Sequence, residues 1–402
     1  MVMKRICITT LEFPPDVGGV GESVNRIARL LLALNYEVHV AVFHSKDRKV
    51  SADCRKRASC ATIEQDGILV HRIEPAIRTA ISTKQDFLSE IYLQLKLLQH
   101  QYQFDIFHAF FINETGYLTT LIARENSIPV INSVRGSDLH KHIFNPTLHA
   151  QMVWVLENSS WVTFVSQDLY NRATLFAPTV QTKSSVFWNS IEPINFTQLP
   201  LPRLVDKLQG LVIGSVGRFR DKKGIEYLLD ACVELKEEID FTLLLVGDFA
   251  EKECEYWQQE IASSSISENI LITGIVERKE ALAYLPHIDI FAIPSLHDGC
   301  PNAMLEAMLS GRAIVGTNVD AIGGILVDEV DALVVNPASS EELAIALRSL
   351  ASQPQLRHKL GDAAKRKAIA AFSPTVEQQH WQEVYHQVLS PEELALINLG
   401  VA

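Results

Sequence analysis

Two acids with seven residues between them, Asp298 and Glu306 in HDGCPNAMLEAM (297–308), have the types and spacing best suited to chemistry in this chain. They stand on either side of a helix start. The strand-like run IDIFAIP (288–294) leads into Ser-Leu-His-Asp-Gly. Pro301 suits the first helical position, where its missing N–H costs nothing, and Gly311 supplies a stop after about Ser310. This spacing puts Asp298 in the loop and Glu306 about one and a half turns into the helix, roughly 7–8 Å beyond its start. Between them lie the unsatisfied N–H groups near Cys300, Asn302 and Ala303, at the positive end of the helix dipole, which is a place for an anion. Acid, N–H cluster, acid matches a ligand with hydroxyls, then phosphates, then hydroxyls, the order found in a nucleotide-sugar. The alternative makes Glu306 an exposed helix residue, but Ala303, Met304, Ala307 and Met308 make most of that helix apolar.

A second constellation is the turn GSVGRFRDKKG (214–224), where Arg218, Arg220, Lys222 and Lys223 fall between glycines at a strand end. Arginine offers a bidentate fork and lysine a point charge, and both would stabilise negative charge on a departing diphosphate. A surface turn with a basic tip is the plainer reading. The third is FPPDVGGVGES (13–23), after the first strand. Its loop of about nine residues is too long for the tight dinucleotide turn, and the second strand ends in Phe43-His44-Ser45 without an acid for an adenosine ribose. Gly18 and Gly19 instead suit a loop whose backbone approaches a diphosphate or sugar closely. These features weigh against an NAD-dependent dehydrogenase.

The elements that must position these residues follow from alternation of short β-rich runs with amphipathic helical ones, the pattern of parallel α/β sheets. Strands are expected at 5–10, 37–43, 105–110, 129–134, 161–166 and 184–188, and again at 211–217, 241–247, 269–274, 288–294, 313–317 and 332–336. Residues 20–35 place Val24, Ile27, Leu31 and Leu34 on one helical face, and 58–74 alternates around Asp66-Gly67 as a hairpin. The fold class expected is α/β, two Rossmann-like doubly wound domains facing a central cleft. The boundaries are 1–194 for an acceptor-side domain, 195–210 for a Pro-containing linker, 211–372 for a nucleotide-sugar-binding domain and 373–402 for a C-terminal helix. Open α/β sheets bind ligands at the carboxyl ends of their strands, which is where all three constellations fall.

Composition bounds the rest. A chain of 402 residues with 47% hydrophobic content suffices for two cores. Six scattered cysteines without metal-like spacing argue for a reducing compartment and no structural metal. The N-terminus reads as a first strand, no apolar run is long enough to span a bilayer, and a cytoplasmic protein is expected. Residues 1–200 hold 19 basic and 18 acidic side chains, so almost all of the net charge of −12 falls in the second half. That excludes nonspecific nucleic-acid binding. The basic stretch 46–57 is the candidate for peripheral contact with an inner membrane face, against the alternative of a solvated loop.

Taken together, D-x7-E at 298–306, G-R…K-G at 217–224, P-x-x-G-G at 15–19, NSIEPINF at 189–196 and VSQDL at 165–169 resemble, in order and over nearly the whole chain, the retaining glycosyltransferases of family 4. The resemblance implies a GT-B fold and transfer of a sugar from a UDP-, GDP- or ADP-sugar to a hydroxyl acceptor: a glycan, a lipid-linked saccharide or a small molecule. Glu306 would bind the donor ribose. Asp298 with Gly299, Cys300, Pro301 and Asn302 would hold the donor sugar, and Arg218 and Lys223 would take the diphosphate. Gly18 and Gly19 would approach from the first domain, and Val276 would lie near the base. No cofactor and no metal are implied, and the last helix would return to the first domain.

Three departures accompany the resemblance. Asp298 stands where the family commonly has Glu. Arg135-Gly136-Ser137-Asp138 replaces the frequent H-G-x-D, so that Arg135 either meets an anionic group or pairs with Asp138. Gly323-Gly324 replaces a usual Pro-Glu and implies a more mobile loop. His108 matches a position that often lines the acceptor pocket. The rival functions are a nucleotide-sugar 2-epimerase of the same fold and a non-catalytic nucleotide-sugar-binding partner subunit.

Overall fold

The computed structural model describes residues 3–16, 19–43, 58–75, 84–299 and 301–389. The expectations for Gly18, Cys300 and the basic stretch 46–57 therefore lie outside the described residues, as does the end of the chain beyond 389. Two compact units divide the chain. One comprises residues to Val165, Leu169–Phe187 and Glu377 onward; the other comprises Ser166–Asp168 and Trp188–Val376.

The first unit is an eight-stranded sheet: β1 (Arg5–Thr10), β2 (Glu37–Phe43), β3 (Ser59–Gln65), β4 (Ile68–Glu74), β5 (Ile106–Phe110), β6 (Val130–Val134), β7 (Trp161–Phe164) and β8 (Ser184–Val186), in the order β3-β4-β2-β1-β5-β6-β7-β8. All neighbours pair parallel except β3 with β4, whose two-residue turn places Asp66 and Gly67 at φ 52° and 81°. Two positive φ values make this a primed hairpin turn, as the Asp-Gly pair indicates. Alternation along β1 divides the core between the two faces of the sheet. Ile6 and Ile8 meet Val24, Ile27 and Leu31 of the helix Gly19–Ala33, while Cys7 meets Ile91 and Leu95 of the helix Lys84–Tyr102. Trp381, Val384 and Tyr385 of the last helix, Pro374–Leu389, complete the first of these cores.

The second unit is wholly parallel: β9 (Leu211–Phe219), β10 (Phe241–Phe249), β11 (Ile270–Ile272), β12 (Ile290–Ile293), β13 (Ala313–Thr317) and β14 (Leu333–Val335), in the order β11-β10-β9-β12-β13-β14. Both faces are covered, which is why the strands read as continuous apolar runs. The segment 195–210 is ordered against this unit. Phe196, Leu199, Leu204 and Leu208 pack on its core, and the Leu204 N–H donates to the Tyr284 hydroxyl at 3.1 Å. The helix Ser340–Ser352 starts from a Ser-x-x-Glu pair in which the Ser339 hydroxyl accepts the Glu342 N–H at 3.2 Å. Among the described residues no helix is long and apolar enough to cross a membrane.

Candidate active site

In the second unit, β9 runs into the cationic turn, and Gly224 ends that turn at a left-handed φ of 62°. A Cβ at Gly224 would lie 2.1 Å from the Pro294 carbonyl oxygen, so only glycine lets the turn press against the segment leaving β12. The Leu296 N–H donates to the Lys222 carbonyl at 2.8 Å and latches the two turns together. Packed in this way, Lys223 reaches Asp298, with Nζ 2.5 Å from Oδ2. Two sequence constellations 75 residues apart thereby meet. Arg218 and Arg220 are exposed at the same strand end, with no ion-pair partner among the described residues.

The helix after Asp298 spans Asn302–Leu309, with Ser310 as its C-cap and Gly311 at φ 71°. Pro301 is its N-cap, one position earlier than the sequence reading placed it. Its φ of −77° with ψ of 107° is extended, and its carbonyl accepts the first helical bonds, from Met304 at 3.0 Å and Leu305 at 3.4 Å. No side chain caps this end, and among the described residues the N–H groups of Gly299, Asn302 and Ala303 donate to no carbonyl. The free donors expected of a helix start are therefore present. Asp298 and Glu306 are each 8% exposed. Glu306 is met by Arg278, Nη2 to Oε1 at 3.0 Å, from the first residue of the helix Arg278–Tyr284. Val276 is half-buried on the core just before that helix. A groove of about 630 Å³ opens beside Arg278 and Lys279, lined on its other side by Glu192, Ile194, Asn195 and Leu199.

Sequence reasoning missed two participants here. Arg278 carries no motif signal beyond being a cation at a helix start after a strand. Asp320 is invisible in the sequence because its contact is distant: its Oδ2 accepts the Asp298 N–H at 2.8 Å. Gly323 and Gly324 lie inside the helix Asp320–Ile325, not in a mobile loop. A Cβ at Gly323 would come within 2.2 Å of Asn318 Oδ1, and one at Gly324 within 2.9 Å of the Trp188 ring. Close packing explains the pair.

In the first unit, Gly19 opens the helix Gly19–Ala33. The preceding Pro-Pro-Asp segment is held by Arg72 of β4, which donates to Asp16 Oδ2 at 3.0 Å and to the carbonyls of Phe13 and Pro14 at 3.1 and 2.6 Å. His108 is fully buried, with Nδ1 2.8 Å from the Tyr385 hydroxyl and Nε2 2.7 Å from Ser133 Oγ. Burial lowers its pKa to about 3. Both ring nitrogens are thus taken inside the core, Nδ1 by the last helix and Nε2 by β6, which corrects the expectation that His108 lines an acceptor pocket. Asp138 is also fully buried. Its carboxylate accepts the N–H groups of Arg135, Gly136 and Ile112, and burial raises its pKa against those bonds. Arg135 therefore meets Asp138 through its backbone, and its guanidinium lies 5.2 Å from the centre of the Phe110 ring.

Two doubly wound sheets, one wholly and one mainly parallel, define the fold class of the GT-B glycosyltransferases. Solved structures agree. The chain superposes on sucrose-phosphate synthase from Thermosynechococcus elongatus with a TM-score of 0.78, at 17% identity over 97% of this chain and 100% of that one. Against Anabaena HepE crystallised with UDP-glucose the TM-score is 0.75, at 17% identity over 95% and 99%. Residues 24–166 match the glycosyl transferase 4-like family model and residues 210–353 the glycosyl transferases group 1 model. The chain belongs to these group 1, family-4-like glycosyltransferases. Among curated relatives, an MMP α-(1→4)-mannosyltransferase of Mycolicibacterium hassiacum is 30% identical over 179 residues, 44% of this chain and 41% of that protein's length. An uncharacterised glycosyltransferase of Methanocaldococcus jannaschii is 21% identical over 98% of this chain and 100% of its own.

Proposed function

We propose that the protein transfers a glycosyl group from a nucleoside-diphosphate sugar to a hydroxyl acceptor, with retention at the anomeric carbon. The observation that carries this is the pair of acids, Asp298 and Glu306, flanking an uncapped helix start, each answered by a cation. Anabaena HepE, a structural neighbour, was crystallised with UDP-glucose, which supports a nucleotide-sugar donor.

In the proposed step the bond from the anomeric carbon to the diphosphate oxygen breaks while the acceptor oxygen bonds to the same face of that carbon. The acceptor's proton passes to the departing phosphate oxygen. This route needs no second carboxylate as nucleophile, unlike a retaining glycosidase. The protein's share is positioning and electrostatics. Arg218 and Lys223 face the diphosphate, the N–H groups of Gly299, Asn302 and Ala303 share its charge, and Asp298 and Glu306 accept hydroxyls of the donor sugar and ribose. The cations of the 218–223 turn supply the positive charge that a metal supplies in other transferases, so transfer is proposed to proceed without one. The acceptor is assigned to the first unit.

Purified protein incubated with UDP-, GDP- and ADP-sugars and a panel of sugar and lipid-linked hydroxyl acceptors tests this. A new glycosidic product that keeps the donor's anomeric configuration is expected. An inverted product would remove the retention, and an epimerised donor without transfer would replace the reading altogether.

A further inference from the structure

We infer that Asp320 is a positioning residue that sets Asp298 for the donor sugar, an inference that rests on the transferase reading above. Asp298 is gripped from two directions. Lys223 takes its carboxylate, while the loop after β13 takes its backbone: Asp320 Oδ2 accepts the Asp298 N–H at 2.8 Å and the Ala321 N–H donates to the Asp298 carbonyl at 3.2 Å. The Asp320 side chain is 6% exposed, with His297 Nδ1 3.7 Å from the same oxygen. A buried carboxylate that accepts the Asp298 N–H fixes the direction in which the Asp298 side chain leaves the backbone. That matters here because an aspartate, one methylene shorter than a glutamate, has less reach to correct a displaced loop.

Asp320 also sits at a left-handed φ of 43°. Such a conformation at a non-glycine residue costs energy that the surroundings must offset, and it recurs where a loop is held for function. The Asp298 N–H, being used by Asp320, is not among the donors left for an anion. Those begin at Gly299. The clamp thus divides the loop, with Asp298 fixed for hydroxyls and the following N–H groups left for phosphate.

Two variants of the full chain test this, Asp320→Ala, which removes the acceptor, and Asp320→Asn, which keeps an oxygen where Oδ2 lies. Hydrogen exchange of the peptide carrying Asp298 is read without any donor. Asp320→Ala is expected to speed it about tenfold or more, the scale of one lost charge-assisted hydrogen bond, and Asp320→Asn to restore most of the protection. Calorimetry with UDP and UDP-glucose, or the GDP-mannose or ADP-glucose pair if those bind instead, gives the second readout. Affinity for the nucleotide-sugar should fall about tenfold in Asp320→Ala while the nucleoside diphosphate changes less than twofold. Unchanged exchange in Asp320→Ala, or equal loss of both ligands, would overturn the inference. Failure of the wild type to bind any of the six ligands would sink the transferase reading instead, with the exchange result still deciding the clamp.

Discussion

Lys223 lies 21% exposed against Asp298 at 11% by side chain, while Arg278 is 54% exposed against Glu306 at 10%. The first pair is the more enclosed, so its loss should matter more. Lys223→Met is expected to lower kcat/KM by about 100-fold or more, the scale of losing a transition-state charge partner, with the fold kept by circular dichroism. Arg278→Ala takes a cation from the buried Glu306 carboxylate and is expected to lower unfolding free energy by about 1–3 kcal/mol in urea titrations. The buried histidines make a separate prediction about pH. His108 is lowered to about 3 and His71 to about 4, and His39 is lowered too, all three chiefly by burial. Their folded values lie below the unfolded one, so their contribution is whole above about pH 6.5 and is lost as pH falls toward 4. The melting temperature should decline over that window, and His108→Phe should flatten the decline while lowering stability at pH 7.5. A wild type equally stable at pH 7 and pH 4.5 would contradict this.

At the scale of elements, the turn 220–224 and the loop 294–299 act as one piece because Gly224 permits their contact. Gly224→Ala forces a left-handed alanine, about 1–2 kcal/mol, and adds a clash with the Pro294 carbonyl, so a loss of more than about 2 kcal/mol is expected in urea unfolding. The strands and the Asp66-Gly67 hairpin were legible in the sequence because their signals are local: period, β-branching and turn chemistry. The meeting of Lys223 with Asp298 was legible only as two motifs. Arg72, Asp320 and Arg278 were not legible, since each acts across a distance that no spacing rule encodes. His108 was misread for the same reason. A histidine on a strand gives no sign of which helix will cover it, and here Tyr385, 277 residues later, does so. Gly323-Gly324 was read as slack where tight packing demanded it.

For the whole molecule, the last helix belongs to the first unit's core although it follows the second unit in sequence. Trp381 and Tyr385 are nearly or wholly buried there, and Glu377, 2% exposed by side chain, takes a bidentate contact from Arg26 at 2.7 and 3.3 Å. Trp381→Ala is expected to destabilise by about 3–5 kcal/mol, measured by denaturant unfolding, with the loss confined to the transition of the first unit. The tandem sheets follow from the restart of alternation after residue 210, and the family from motifs spread over both. Donor, acceptor and linkage are not encoded in these motifs. Binding of a nucleoside-diphosphate sugar between Asp298 and Glu306 in the second unit, as proposed, is tested most directly by ligand-dependent melting. At a concentration about 100-fold above Kd, one of UDP-, GDP- or ADP-sugar should stabilise the wild type by about 2.7 kcal/mol, seen as a rise of several degrees, and Glu306→Ala should lose that rise. An equal rise in Glu306→Ala, or none in the wild type with any of the three, would contradict it.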